Sequence, residues 1–162
     1  MVVIGVGNSA LSDEGVGGRV IREVAPRIPA GIELVDAGLP GLGLLDLLEG
    51  REKAVIVDAV DAGGPPGTVY RFAPDEVTSV EGDPTCSLHQ GDVLQYARLA
   101  EALGMGPKEL VVIGIQPESL SAGEALSPSV EKAVVKAAEL VLAELPPPPR
   151  RIDVLRSETA PS

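Results

Sequence analysis

Residues 2–20 read VVIGVGNSALSDEGVGGRV. The opening Val2–Val6 is apolar, β-branched apart from one glycine, and closed by Gly7-Asn8. A short continuous apolar run ended by a turn pair reads as a strand buried on both faces, as in a parallel sheet. The period then changes. Ser12 is a candidate cap for a helix starting at Asp13, and Val16, Val20, Ile21, Val24 and Ile28 recur at helical spacing until Pro29. A buried strand followed by an amphipathic helix is the repeating unit of α/β folds.

The rest of the chain repeats this alternation. Gly31–Asp36 (GIELVD) reads as a second strand and Pro40–Leu48 (PGLGLLDLL) as a short helix weakened by glycine. Lys53–Asp58 (KAVIVD) is a third, buried strand. Gly67–Phe72 (GTVYRF) is a fourth, reached through the turn Gly63-Gly64-Pro65-Pro66. That turn is too short for a helical crossover, so the fourth strand is expected to run antiparallel. The polar stretch Asp75–Ser87 reads as a loop and His89–Leu103 as a helix stopped by Gly104. Glu109–Ile115 (ELVVIGI) reads as a fifth strand. Ser127-Pro128 marks a cap and first helical position, with Val130, Val134, Ala137, Ala138, Val141 and Leu145 as the last apolar stripe. The expected architecture is α/β: a three-layer αβα sandwich around about five strands, mostly parallel with one antiparallel. Residues 1–145 are expected to form a single domain, and residues 146–162 a flexible proline-rich tail.

Composition narrows the function classes. Aromatic residues make up 2% of the chain, so platforms for stacking bases are essentially missing. The net charge of −11 repels phosphate backbones and anionic lipid surfaces and favours a basic patch on a protein partner. No nucleic-acid or membrane partner is therefore expected. Cys86 is the one cysteine, which excludes an internal disulfide. With neither a signal-peptide pattern nor an apolar run near the length of a membrane span, a cytoplasmic protein is the expectation.

Three residues stand out for chemistry. Glu14 lies in GNSALSDEG, Asp58 ends AVIVD, and His89, in SLHQGDVL, is the only histidine. Taken singly, each has an ordinary explanation: a first-turn acid, a turn residue, a surface histidine. Together they offer two hard oxygen ligands and one imidazole, which suits a divalent transition metal such as nickel or zinc with positions left open. Cys86 and His89, three residues apart, make a poor thiol dyad. Gly5-Val6-Gly7-Asn8-Ser9-Ala10 also matches the dinucleotide pattern G-x-G-x-x-A, with Asp36 ending the second strand where such folds hold a ribose. Against nucleotide binding, Asp13 and Glu14 stand where a pyrophosphate needs positive potential.

The series VVIGVGNSALSDEGVGGRV, VDAGLPG, IVDAV, PGTVYRF, SLHQGDVL, VIGIQPESL and LSPSVEKAV, in order over residues 2–143, resembles the maturation endopeptidases of nickel–iron hydrogenases. The resemblance implies an enzyme that removes a C-terminal extension from the hydrogenase large-subunit precursor once nickel is inserted. It puts the family's metal-contacting and catalytic positions on Glu14, Asp58 and His89, and a supporting or substrate-contacting position on Asp36. Gln90 and Glu118 match recurrent positions. Ala37 and Leu39 stand where the family commonly has glycine and threonine. Nickel would arrive with the substrate, and the resting enzyme would be metal-free. The alternatives are a non-enzymatic nickel-site chaperone with the same cleft, and a nucleotide-binding Rossmann-like module.

Overall fold

The computed structural model describes residues 1–76 and 93–147. Its sheet has five strands in the order β2-β1-β3-β5-β4: β1 is Val2–Val6, β2 Glu33–Gly38, β3 Lys53–Ala59, β4 Val69–Phe72 and β5 Glu109–Ile115. The β1–β2, β1–β3 and β3–β5 pairs are parallel, and β4 pairs antiparallel with β5. The expected three-layer αβα sandwich with one antiparallel strand is the observed fold.

Side-chain alternation along the central strands builds two cores. On one face Val3, Val55, Val57, Val111 and Ile113 pack against α1 (Val16–Val24) and α4 (Pro128–Ala143). On the other, Val2, Ile4, Ala54 and Ile56 pack against α2 (Gly43–Leu48) and α3 (Val93–Ala102). Strands buried on both faces need continuous apolar sequence, which is why β1, β3 and β5 read so clearly.

The chain leaves β1 through α1 to β2 on one side, and then runs from β2 through α2 to β3 on the other side of β1. The carboxyl ends of β1 and β3 therefore flank the switch point of the sheet, where open α/β folds form their crevice. Glycine brings α1 unusually close to that edge. A Cβ on Gly17 would lie 2.3 Å from the Val6 carbonyl oxygen and 2.6 Å from that of Val57.

Several local expectations change. The segment read as the start of a helix at Asp13 is a separate 3-10 turn, Ser12–Gly15, and α1 begins at Val16. Ser12 does not cap it: its φ is 48° and its hydroxyl donates to the Ala125 carbonyl oxygen at 2.8 Å. The α1 helix ends at Val24, short of Ile28, and a 3-10 turn carrying Pro26 follows. Ser127 precedes α4 as expected, but its hydroxyl serves Asp13 instead of the helix. Leu145 lies beyond the end of α4 and is half-buried. Most of the Asp75–Ser87 loop, the first residues of the His89–Leu103 helix and the tail from residue 148 fall outside the described residues.

Candidate active site

A cleft of about 310 Å³ opens at the switch point. Its floor and walls are mainly apolar, including Val6, Leu11, Val60, Phe72 and Leu94, with Leu39 and Leu120 also lining it. Glu14, Asp58 and Asp61 bring carboxylates into this lining. Two of the three residues singled out in the sequence, Glu14 and Asp58, thus share one cleft despite 43 intervening positions. His89 and Gln90 lie outside the described residues. Among the described residues no three His, Cys, Asp or Glu side chains form a group that could hold a metal ion.

Each acid has a structural reason for its position. The Glu14 backbone is drawn in by Gly7, whose φ is 129° and whose added Cβ would lie 1.8 Å from the Glu14 carbonyl oxygen. Only glycine permits that approach. The glycines of the dinucleotide-like pattern therefore make room for the chain's own Glu14 backbone and, at Gly5, for the Gly17 backbone. Burial raises the Glu14 carboxyl above its ordinary value. Asp58 continues β3 into the cleft and accepts the Ala59 amide at 2.8 Å.

Two residues that sequence reading left without a role complete the arrangement. Asp13, adjacent to Glu14, is fully buried. Burial alone would raise its carboxyl, but hydrogen bonds from the Ser127, Ser119 and Glu118 amides and the Ser127 hydroxyl hold it below the ordinary value. Gln116 is also buried. Its Oε1 accepts the Ala62 amide at 2.9 Å, and its Nε2 donates to Asp61 Oδ1 at 2.9 Å, which fixes the turn after β3. In sequence, Asp13 and Glu14 look alike, and nothing local marks Gln116; both depend on partners more than 50 positions away.

Asp36 is not part of the cleft lining. It extends over α1, where it meets Arg22 at 3.5 Å and the Gly18 backbone, whose added Cβ would lie 2.7 Å from Oδ2. Glu118 gives its amide to Asp13 at 2.9 Å and accepts the Ser129 hydroxyl.

This geometry coincides with clear relationships. The family model described as hydrogenase maturation protease matches residues 19–144, a span that includes Asp36, Asp58 and His89 and begins after Glu14. The hydrogenase 2 maturation protease of Escherichia coli is 36% identical over 151 residues, covering 90% of this chain and 90% of that one. A hydrogenase expression/formation protein of Thiocapsa roseopersicina is 36% identical over 145 residues, covering 88% of this chain but 66% of that relative's length. The solved structure of a hydrogenase maturating endopeptidase from E. coli superposes with a TM-score of 0.76 at 31% identity, covering 88% of this chain and 89% of that one.

Proposed function

The chain belongs to the hydrogenase maturation protease family, and from that premise we propose that it is an endopeptidase that trims a C-terminal extension from a nickel-loaded hydrogenase large-subunit precursor. The observation that carries this reading is the convergence of Glu14 and Asp58 on one cleft at the switch point of the sheet.

The two carboxylates and the imidazole of His89 contact nickel that the precursor already holds. In this reading the nickel belongs to the substrate, and the free enzyme holds none. Recognition then depends on loading, because the contact energy exists only in the metal-containing precursor. The apolar walls exclude water from around those contacts and strengthen them. For the hydrolytic step, Glu14 lines the cleft and has a second carboxylate oxygen beyond the one that contacts the nickel. It takes a proton from the attacking water as the water oxygen adds to the scissile carbonyl. The carbon–nitrogen bond then breaks, and the proton passes to the leaving amine. Asp36, paired with Arg22 on the α1 side, contacts the precursor outside the cleft.

Glu14→Gln and Asp58→Asn provide the test. Each is expected to remain folded and to leave the loaded precursor at full length, and wild-type processing by either variant would overturn the assignment.

A further inference from the structure

The Asp13 carboxylate joins two segments that lie far apart in sequence. Oδ2 accepts the Glu118 and Ser119 amides, each at 2.9 Å, and the Ser127 hydroxyl at 2.7 Å. Oδ1 accepts the Ser127 amide at 2.7 Å. The Asp13 amide in turn donates to the Ser119 carbonyl oxygen at 3.1 Å. Asp13 therefore holds both ends of the excursion between β5 and α4, at its departure near Glu118 and its return at Ser127.

The tip of that excursion is fastened to the same turn. The Ser12 amide donates to the Gly123 carbonyl oxygen at 2.6 Å, and the Gly123 amide donates to Ala10 at 2.9 Å. Leu11 and Gly123 form an isolated parallel bridge. Ser12 reaches a φ of 48° to make these contacts, a left-handed conformation that costs a non-glycine residue energy.

Both fastened segments line the cleft, Leu11 and Glu14 from one and Pro117 and Leu120 from the other. We propose that Asp13 is a positioning residue that fixes the Glu14 turn and the Pro117–Leu120 wall relative to each other, so that the scissile peptide meets Glu14 in one geometry. The proposal rests on the peptidase reading above for its catalytic consequence, while the clamp itself is a property of the free protein. The chemistry requires a carboxylate. An asparagine at this position has nearly the same shape but replaces one acceptor oxygen with an amide that donates, and here every partner group is a donor. Asp13 is fully buried, so the extra methylene of glutamate would have to displace its packed neighbours.

The test compares wild type, Asp13→Asn and Ser127→Ala in two assays below their melting temperatures. One is processing of nickel-loaded precursor with kcat and KM separated. The other is deuterium uptake of the free protein. Asp13→Asn is expected to lower kcat about 10- to 100-fold through misplacement of the reacting groups, with KM within about threefold of wild type. Uptake is expected to rise in residues 8–15 and 117–127 and to stay unchanged in β1 and β3. Ser127→Ala, which removes a single donor, is expected to shift both readouts in the same direction by about threefold. A lowered melting temperature with kcat and uptake as in wild type would overturn the proposal and reduce Asp13 to a structural residue. If Asp13→Asn does not fold, unchanged kcat and uptake in Ser127→Ala would overturn it. If wild type fails to process the precursor, the peptidase reading falls, and unchanged uptake in the variants would still overturn the clamp.

Discussion

Asp13 and Glu14, neighbours on one 3-10 turn, have carboxyl groups displaced in opposite directions by their surroundings. Glu14 is raised by burial without compensating donors in the described structure, whereas Asp13 is lowered by its four donors in spite of burial. One residue is held by the fold and the other is held for use.

The sign of the Glu14 shift gives a stability prediction. A carboxyl raised in the folded state favours folding only while protonated, at and below its ordinary value near 4.5, and opposes folding once pH rises through the folded value. At neutral pH Glu14→Gln removes an unfavourable, partly buried charge. Its melting temperature is expected to equal or slightly exceed that of wild type while processing is lost, the usual trade between stability and function at an active site. A clear fall in melting temperature at pH 7 would show that Glu14 serves the fold.

The opposite pH dependence is expected at the amino ends of β3 and β5. The Arg71 guanidinium beside Glu144, aided by Lys53 against the cost of burial, holds the Glu144 carboxyl below its ordinary value. Such a group stabilises above the unfolded carboxylate value, and the contribution is lost as pH falls through the folded value. Glu144→Gln should cost about 1–3 kcal/mol at pH 7 and flatten the acid limb of a stability profile. Parallel urea titrations at pH 7 and pH 3 measure both effects, and an equal loss at the two pH values would contradict the assignment.

Gly17→Ala should be among the most damaging small substitutions. Its Cβ would meet two carbonyl oxygens of the central sheet, Val6 and Val57, and backbone cannot swing aside as a side chain can. Moving α1 outward costs about 1–3 kcal/mol or more, read as a lower denaturant midpoint. A midpoint equal to wild type would mean that the helix has slack at its closest approach.

Gln116→Leu keeps approximate volume and removes the partner of the Ala62 amide and of Asp61. Leaving the Ala62 amide unpaired and taking one donor from Asp61, which keeps the Gly63 amide, should cost about 1–3 kcal/mol. Faster deuterium uptake confined to residues 60–64 would identify the turn after β3 as the segment released; uptake unchanged there would remove Gln116 from this role.

The sequence reading succeeded where the signal is local. Val2–Val6 and Glu109–Ile115 have the observed strand limits because strands covered on both faces must be apolar throughout. The convergence of Glu14 and Asp58 was legible because one stands in the turn after β1 and the other at the carboxyl end of β3, and those two strand ends meet at the switch point. It failed where long-range contacts overrule local chemistry. Ser12 followed by two acids looks like a capped helix start, yet Gly123 and Ala125 draw Ser12 into another conformation and delay α1 to Val16. The roles of Asp13 and Gln116 were invisible for the same reason, since their partners lie far along the chain and follow no periodic pattern.

The most direct measurement is the intact mass of a nickel-loaded hydrogenase large-subunit precursor, and of its metal-free form, after incubation with and without this protein. The account predicts loss of a C-terminal peptide from the loaded precursor alone, and only when the protein is present. Binding of the loaded precursor without any change in mass, or equal shortening of the loaded and metal-free forms, would contradict it.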